Sequence, residues 1–509
     1  MENNKINIEE LAKFCKNKGF VFQAAEIYGG LAGFFDFGPL GVELKNNIKS
    51  LYWKHFVLKR EDIVGQDGSV ITNPKVWKAS GHVDNFGDLI LTTKDTKTKL
   101  RADHFIEDEL KIPADGMNAQ EIQDLINKNN LKYKGEDFEE IKDFNLMFNT
   151  QVGADTTKTS MAYLRPETCQ SIFPNFKLIA DCARQKLPFG IVQSGKAFRN
   201  EISPRDFVFR SREFEQIEME YFFNPQTKCS YLTDNHLNTK MQFLSAQNQD
   251  NNSNKMIEVT IKDLLDQNKL SDYHAFWLVE FFNFFNKEVG LSFENLRIRE
   301  HVKTELSHYS SATFDIDYNY PMGFKEMIGI AYRGNYDLTQ HQIHSKSKLD
   351  FFDETTHTKL LPHVIEPSAG VERFMMAVLF EAYNNDTLRG NVVLSFKPNL
   401  SPYKVAIFPL MNKAVLSTKA RELYNELIEE EIAVMYDKSG SIGKRYARQD
   451  EIGTPYCITI DFETIEEGDK KDTITIRNRD TTEQKRISTN NLSDVINKLI
   501  KDKIKFEDL

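Results

Sequence analysis

The chain is poor in cysteine, and the few it has form no pattern. Its five cysteines, at 15, 169, 182, 229 and 457, are odd in number, scattered and free of any CxxC pair. That argues against a disulfide framework or a structural zinc site. No apolar run reaches the roughly 18–20 residues that a membrane-spanning helix needs. The Phe-rich segment 276–285 is interrupted by Glu280 and Asn283 and is expected as a buried helix. The first residues, MENNKINIEE, carry neither the basic nor the apolar region of a signal peptide, so a cytoplasmic protein without membrane contact is expected. Positive charge is also short. A net charge of −10 means that the surface as a whole repels nucleic acid, and any such binding needs a local basic patch. The usual glycine motifs for nucleotides are missing. GSIGKR at 440–445 lacks the GxxxxGK[ST] spacing, and GGLAGFFDFG and GPLG are not GxGxxG. Neither HExxH nor GxSxG occurs. A nucleotide handled by this chain must be held by other means.

A length of 509 residues predicts two or three domains. Residues from about 92 to 155 are rich in Lys, Asp, Glu and Asn and read as an inserted, mostly helical excursion. A second polar stretch, SAQNQDNNSNK near 245–255, lies within another insertion, about 225–300. Prolines flank a linker in SFKPNLSPYK, which sets a boundary between residues 398 and 399. Beyond it, VAIFPL, IAVMYD, YCITI and TITI alternate with helical runs and end in LSDVINKLI. That spacing predicts a small α/β domain with a mainly parallel sheet. Before the linker, long strands such as FGIVQSGKAFR and EFEQIEMEYFF follow one another, the pattern of an antiparallel α+β domain.

Two stretches carry candidate chemistry. In FRNEISPRDFVFRSREFEQIEMEYF (198–222), Ser203-Pro204 marks a bend. From Glu213 onward, Ile217, Met219 and Tyr221 take odd positions, while Phe214, Gln216, Glu218 and Glu220 take even ones. Period-two alternation predicts a strand with an apolar packed face and an open face bearing carboxylates and an aromatic ring. In EPSAGVERFMMAVLFEAY, Val371, Phe374, Met375, Val378 and Leu379 follow the stripe of an amphipathic helix with Gly370 at its start. Arg373 then lies in the first turn, where an anion would satisfy both its guanidinium and the free N–H groups. A surface arginine paired with a glutamate is the competing reading.

These stretches resemble motifs 2 and 3 of the class II aminoacyl-tRNA synthetases, specifically the glycyl-tRNA synthetases of homodimeric type. GFFDFGPLGVELKNNIKSLYWKHFV (33–57) is similar to motif 1, a helix and strand at that family's dimer interface. WKASGHVDNFGD, RADHFIEDEL, YLRPETCQSIFPNFK, TELSHYS and GIAYRGNYDLTQH resemble further family segments in the family's order. The resemblance implies a catalytic domain at 1–398, built on an antiparallel sheet with flanking helices and insertions. It also implies an α/β anticodon-binding domain at 399–509. Arg199 resembles the arginine that bridges the ATP α-phosphate and the amino-acid carboxylate, which a planar fork of donors suits. Arg373 resembles the γ-phosphate clamp. Phe214 matches the ring on which adenine stacks, with Arg210 on the other face. Asn200, Glu201, Phe209, Leu306, Gly370, Val371 and Glu372 fall in segments that the family uses around ATP. Glu167, Glu218 and Glu366, with Ser368 beside them, match an acidic pocket for the glycine ammonium. Arg101, Glu215 and Gln216 are implied as further glycine contacts. Glu305 is implied as the Mg²⁺ residue, and no zinc is expected, because LTTKDTKTKLRADH lacks the cysteines of some family members.

The implied reaction is activation of glycine with ATP to glycyl-adenylate and transfer to the 3′ end of tRNA(Gly), by a homodimer. Lys444, Arg445 and Arg448 form the local basic cluster expected to meet tRNA, although a solvated helix face is the usual reading of such a run. Sister synthetases for proline, threonine, serine or histidine would share the arginines without needing three acids for so small a substrate. The accessory subunit of the mitochondrial DNA polymerase resembles the family but need not keep Arg199, Arg210 and Arg373. A metabolic ligase on the same fold would lack the tail.

Overall fold

The computed structural model describes residues 6–112, 114, 116–154, 161–251, 253–307 and 309–509. Its body is built on a nine-stranded sheet. The strands are β1 (Ile63–Gln66), β2 (Phe189–Phe198), β3 (Glu213–Phe223), β4 (Lys240–Leu244), β5 (Ile257–Thr260), β6 (Leu296–Glu300), β7 (Ala312–Tyr320), β8 (Gly323–Gly334) and β9 (His363–Gly370). They lie in the order β5-β4-β6-β7-β8-β9-β3-β2-β1. Six of the eight pairings are antiparallel; β1–β2 and β4–β6 are parallel.

Alternation along β3 sets the two sides of this sheet. Ile217, Met219 and Tyr221 are buried in the main apolar core, and the Tyr221 ring meets Trp277 at 4.8 Å. Helices α1 (Pro39–Trp53), α2 (Asp272–Asn283) and α4 (Val371–Ala382) cover this side. Leu44, Ile48 and Tyr52 of α1 face inward beside Phe281, Phe374, Met375, Val378 and Leu379. The expected stripe of α4 is therefore its packed face, with Gly370 as N-cap. The Phe-rich segment is the buried helix expected; Phe56 stacks on Phe281 at 4.2 Å.

The other side of β3 is not open. Gln216, Glu218 and Glu220 are 6%, 2% and 0% exposed. A loop and short helices at 164–182, together with α3 (Tyr336–Ser345), close over it, bringing Phe173, Phe176 and Leu338 against Phe189 and Phe222. Carboxylates tolerate this burial only where donors meet them, and the covering loop supplies such donors.

The first insertion departs from the expectation of a mostly helical excursion. Strands Gly87–Thr92, Lys99–Arg101 and Lys142–Asn145 form a three-stranded sheet that packs on two helices, Ala102–Leu110 and Ala119–Asn129. Its small core holds Leu91, Phe105, Ile106, Ile122 and Ile126. Residues 113, 115 and 155 of that stretch lie outside the described residues. In the second insertion, β4, β5 and β6 extend the main sheet and α2 belongs to its core.

The tail has its own sheet: β10 (Val405–Pro409), β11 (Val434–Tyr436), β12 (Tyr456–Ile460), β13 (Thr473–Asn478) and β14 (Gln484–Ser488), in the order β11-β10-β12-β13-β14. Only β10–β11 and β10–β12 are parallel, so the expected mainly parallel sheet is instead mixed. The antiparallel half comes from β13 and β14; the outer strand β14, QKRIS, carries charges, as edge strands do. Charged hydrogen bonds fasten the tail to the body. The Arg479 guanidinium donates to the carbonyl of Phe396 at 2.7 Å, and Arg389 donates to the carbonyls of Arg479 and Asp480 at 2.7 and 2.8 Å. Among the described residues, no helix is long and apolar enough to cross a membrane.

Candidate active site

The loop before residue 170 is drawn onto the sheet by Arg165. Its guanidinium donates to the carbonyls of Lys196 and Gly68, both at 2.6 Å, passing beside Gly195, where a Cβ would collide with it. This anchoring delivers Glu167, Thr168 and Cys169 to β3. Glu218 Oε2 accepts from the N–H of Thr168 (2.7 Å), its hydroxyl (2.5 Å) and the N–H of Cys169 (2.7 Å). Its Oε1 accepts from the Ser368 hydroxyl at 2.7 Å. Glu167 lies 3.2 Å from His82 Nε2 and accepts from the Cys169 thiol at 2.9 Å. Burial alone would raise this carboxyl, but His82 and Arg333 hold it well below the usual range.

Arg333, at the end of β8 and almost fully buried, closes the nest. It donates to Asp337 of α3 at 2.8 and 2.9 Å and to Glu366 of β9 at 2.7 Å, and it lies 3.7 Å from the centre of the Tyr309 ring. Burial pushes Glu366 up to about 8; Arg333 opposes the shift, and Glu218 and Glu167 add to it. Three acids thus surround one spot, and only Glu366 among them is bonded to the buried guanidinium. One Glu218 oxygen, one Glu366 oxygen and the Cys169 sulfur lie within 4.8 Å of one another. Their chemistry suits an ammonium rather than a metal. The Cys169 thiol is pushed far above its ordinary value by burial, and Glu218, with three donors on Oε2 and one on Oε1, has room for one more N–H donor but not for a metal's demands.

The same cleft contains the arginines of both motifs. Glu167, Arg199, Glu201, Phe209, Arg210, Phe214, Gln216, Glu218, Glu366, Ser368, Gly370, Glu372 and Arg373 all line it. Arg199 Nε donates to the Pro166 carbonyl at 3.1 Å, and its guanidinium lies 5.4 Å from the ring centres of Phe86 and Phe214. Arg373 pairs with Glu326 at 2.9 Å and lies 4.5 Å from the centre of the Phe209 ring. Arg210 meets His104 Nε2 at 3.0 Å and Glu201 at 3.5 Å.

Several expected residues fall elsewhere. Glu215 points to the opposite side of β3, where it pairs with Lys45 and Lys49 of α1 at 3.0 and 2.9 Å, so it cannot reach a ligand beside Glu218. Alternation requires this, since Glu215 is out of phase with Gln216 and Glu218. Glu372 reaches the cleft wall, yet its carboxylate pairs with Lys45 and accepts the Glu215 N–H. Val371 is core. The Asn200 N–H donates to the Leu146 carbonyl, and neither Asn200 nor Leu306 lines the cleft. Arg101 and Glu305 belong to an adjoining recess that shares Phe209, Arg210 and Arg373 with the cleft. There Arg101 pairs with Asp88 and Asp103, and Glu305 with Arg299 at 2.9 Å. Glu305 sits in a turn rather than at a helix end. His82, Thr168, Glu326 and Arg333 went unassigned in the sequence, although GHVDNFGD, LRPET and AYRGNYD contain three of them.

In the tail, Lys444, Arg445 and Arg448 share helix α5 (Ile442–Ile452) but not one face. Arg445 is 2% exposed and donates to the carbonyls of Pro409 and Leu410 at 2.6 and 3.1 Å. It is thus a structural residue. Lys444 and Arg448 are exposed, Arg448 beside Asp437 at 3.2 Å.

Comparison with known proteins agrees with this geometry. The family "tRNA synthetase class II core domain (G, H, P, S and T)" matches residues 148–382, and "Anticodon binding domain" matches residues 404–499. The chain is 42% identical to a glycine–tRNA ligase of Mesoplasma florum, over 95% of this chain and 98% of that protein. It is 43% identical to one of Caldanaerobacter subterraneus subsp. tengcongensis, over 99% of each. It is 45% identical to one of Ureaplasma parvum serovar 3, over 95% of each.

Proposed function

Because this chain belongs to the glycine–tRNA ligase family of class II synthetases, we propose that its acid nest grips the ammonium of glycine while Arg199 and Arg373 hold ATP. The enzyme activates glycine with ATP and transfers it to tRNA. A glycine carboxylate oxygen attacks the α-phosphorus and pyrophosphate leaves. A terminal ribose hydroxyl then attacks the mixed anhydride, giving the ester and AMP. No protein nucleophile is needed, so positioning and electrostatics supply the rate. Arg199, between the nest and Phe214, is placed to bridge the substrate carboxylate and the α-phosphate. Phe214 is the platform for adenine, and Arg373 takes the γ-phosphate in exchange for Glu326.

The observation that carries this reading is Glu167, Glu218 and Glu366 converging in one cleft with both arginines. A substrate without a side chain is selected there by crowding. Pyrophosphate exchange with all twenty amino acids tests it: glycine should exceed alanine and serine by at least about 10²-fold, the upper range for one methylene. Equal exchange with either competitor would remove the nest from its role.

ATP is used with a divalent metal ion. Glu305, and Glu326 beside Arg373, offer the hard carboxylate oxygens that Mg²⁺ prefers. When bound, the ion neutralises phosphate charge. Residues 1–398 form the catalytic unit and 399–509 the anticodon-binding unit, working in the cytoplasm with ATP and tRNA. Exposed Lys444 and Arg448 meet the tRNA backbone. Replacing either by alanine should weaken tRNA binding and lower its salt slope by about one, read by binding titrations at several salt concentrations. Arg445→Ala should instead destabilise the tail, read as earlier proteolysis of residues 399–509. The enzyme assembles as a homodimer through residues 33–57, which resemble motif 1; a persistent monomer by light scattering would refute this.

A further inference from the structure

Glu220 has no part in the site as described, yet among the described residues it is a fully buried acid with both oxygens unpartnered. Strand register places Glu218 opposite Ser368 and Tyr221 opposite Ile365, so Glu220 lies opposite Glu366 on the same face of the sheet. It is 0% exposed, and among the described residues neither carboxyl oxygen has a hydrogen-bond partner, in contrast with the four donors on Glu218. Its neighbour across β2 is Ile191, which is apolar. An ionised carboxylate with neither donors nor a cation of its own in such a place is costly.

Of the surrounding charges, Arg333 favours an ionised Glu220, while Glu366, Glu218 and Asp337 oppose it. Arg333 is the cation in contact with Glu366, and it is shared with Asp337 of α3. Glu218 on the same strand, Glu167 and Cys169 on the covering loop, and Tyr309 complete the ring of titratable groups. We propose that Glu220 and Glu366 hold a shared proton in the free enzyme, and that the glycine ammonium expels it on docking. This rests on the nest being the ammonium site. Burial and the neighbouring Glu366 push Glu220 far up, in keeping with a pair that titrates as one unit. The step balances: the protonated pair and glycine zwitterion become the ionised pair with its ammonium partner, and one proton passes to solvent. Glu220 thus acts as a positioning residue that sets the charge Glu366 presents.

Two measurements test this. Mixing the weakly buffered enzyme with saturating glycine in the presence of a pH indicator should release protons, whereas saturating ATP alone should not. The KM for glycine in pyrophosphate exchange should fall by up to about tenfold per pH unit from pH 6 toward 8, with kcat and the KM for ATP changing far less. Glu220→Gln, which keeps the shape and removes the competing acid, should move that fall to lower pH. No proton release in the wild-type enzyme overturns the proposal, and needs no variant to fold. An unchanged profile in a folded Glu220→Gln overturns the pairing. Glycine-specific exchange at pH 8.5 with a flat KM profile would sink this inference and leave the ammonium site standing; loss of glycine specificity would sink both.

Discussion

Arg199→Ala lowers glycine-dependent ATP–pyrophosphate exchange by about 10²–10³-fold, the cost of losing one preorganised donor to a developing anion, while the protein stays folded. Among the described residues the side chain makes a single hydrogen bond, Nε to the Pro166 carbonyl, and it lies against Phe86 and Phe214. Arg199 lines the cleft, and little of the fold depends on it. Arg199→Lys should rescue poorly, because an ammonium cannot form two parallel bonds to a carboxylate and a phosphate. Exchange kinetics beside a thermal melt separate the two effects. Near-normal exchange in the alanine variant would remove Arg199 from the reaction.

Arg333→Met acts on the fold as much as on the site. Two carboxylates, Asp337 and Glu366, lose their shared cation in a place that is almost closed to water. Removing one partner of a buried ion pair costs about 3–5 kcal/mol, because the remaining charge stays uncompensated. Denaturant unfolding should show that loss, and the glycine KM should rise in whatever fraction folds. Arg333→Lys should recover only part of it, since one ammonium cannot reach Asp337 by two bonds and Glu366 by a third. A stability change below about 1 kcal/mol would mean that the network is solvated.

Much of this was legible in the chain. The α4 stripe from Val371 to Leu379 and the alternation of Ile217, Met219 and Tyr221 both emerge as packed faces. Glu167, Glu218 and Glu366 meet as expected, although they lie far apart in sequence. What stayed hidden depends on register and on partners from other segments. Arg333 reads as one arginine among many until β8 and β9 are aligned and Glu366 falls beside it. Burial of the carboxylate face of β3 could not be read from its own residues, because the donors belong to Thr168 and Cys169. Glu215 is the opposite case: its phase in the strand already pointed it away, toward Lys45. Arg445 was hidden for a third reason, since its acceptors are main-chain carbonyls at the end of β10, which look alike in any sequence.

The bonds from Arg389 and Arg479 across the seam turn the enzyme into a fixed-span gauge. A substrate long enough to touch both ends must bring its loop and its terminus to a set separation. A molecule of the wrong span would then satisfy one end only by giving up the other.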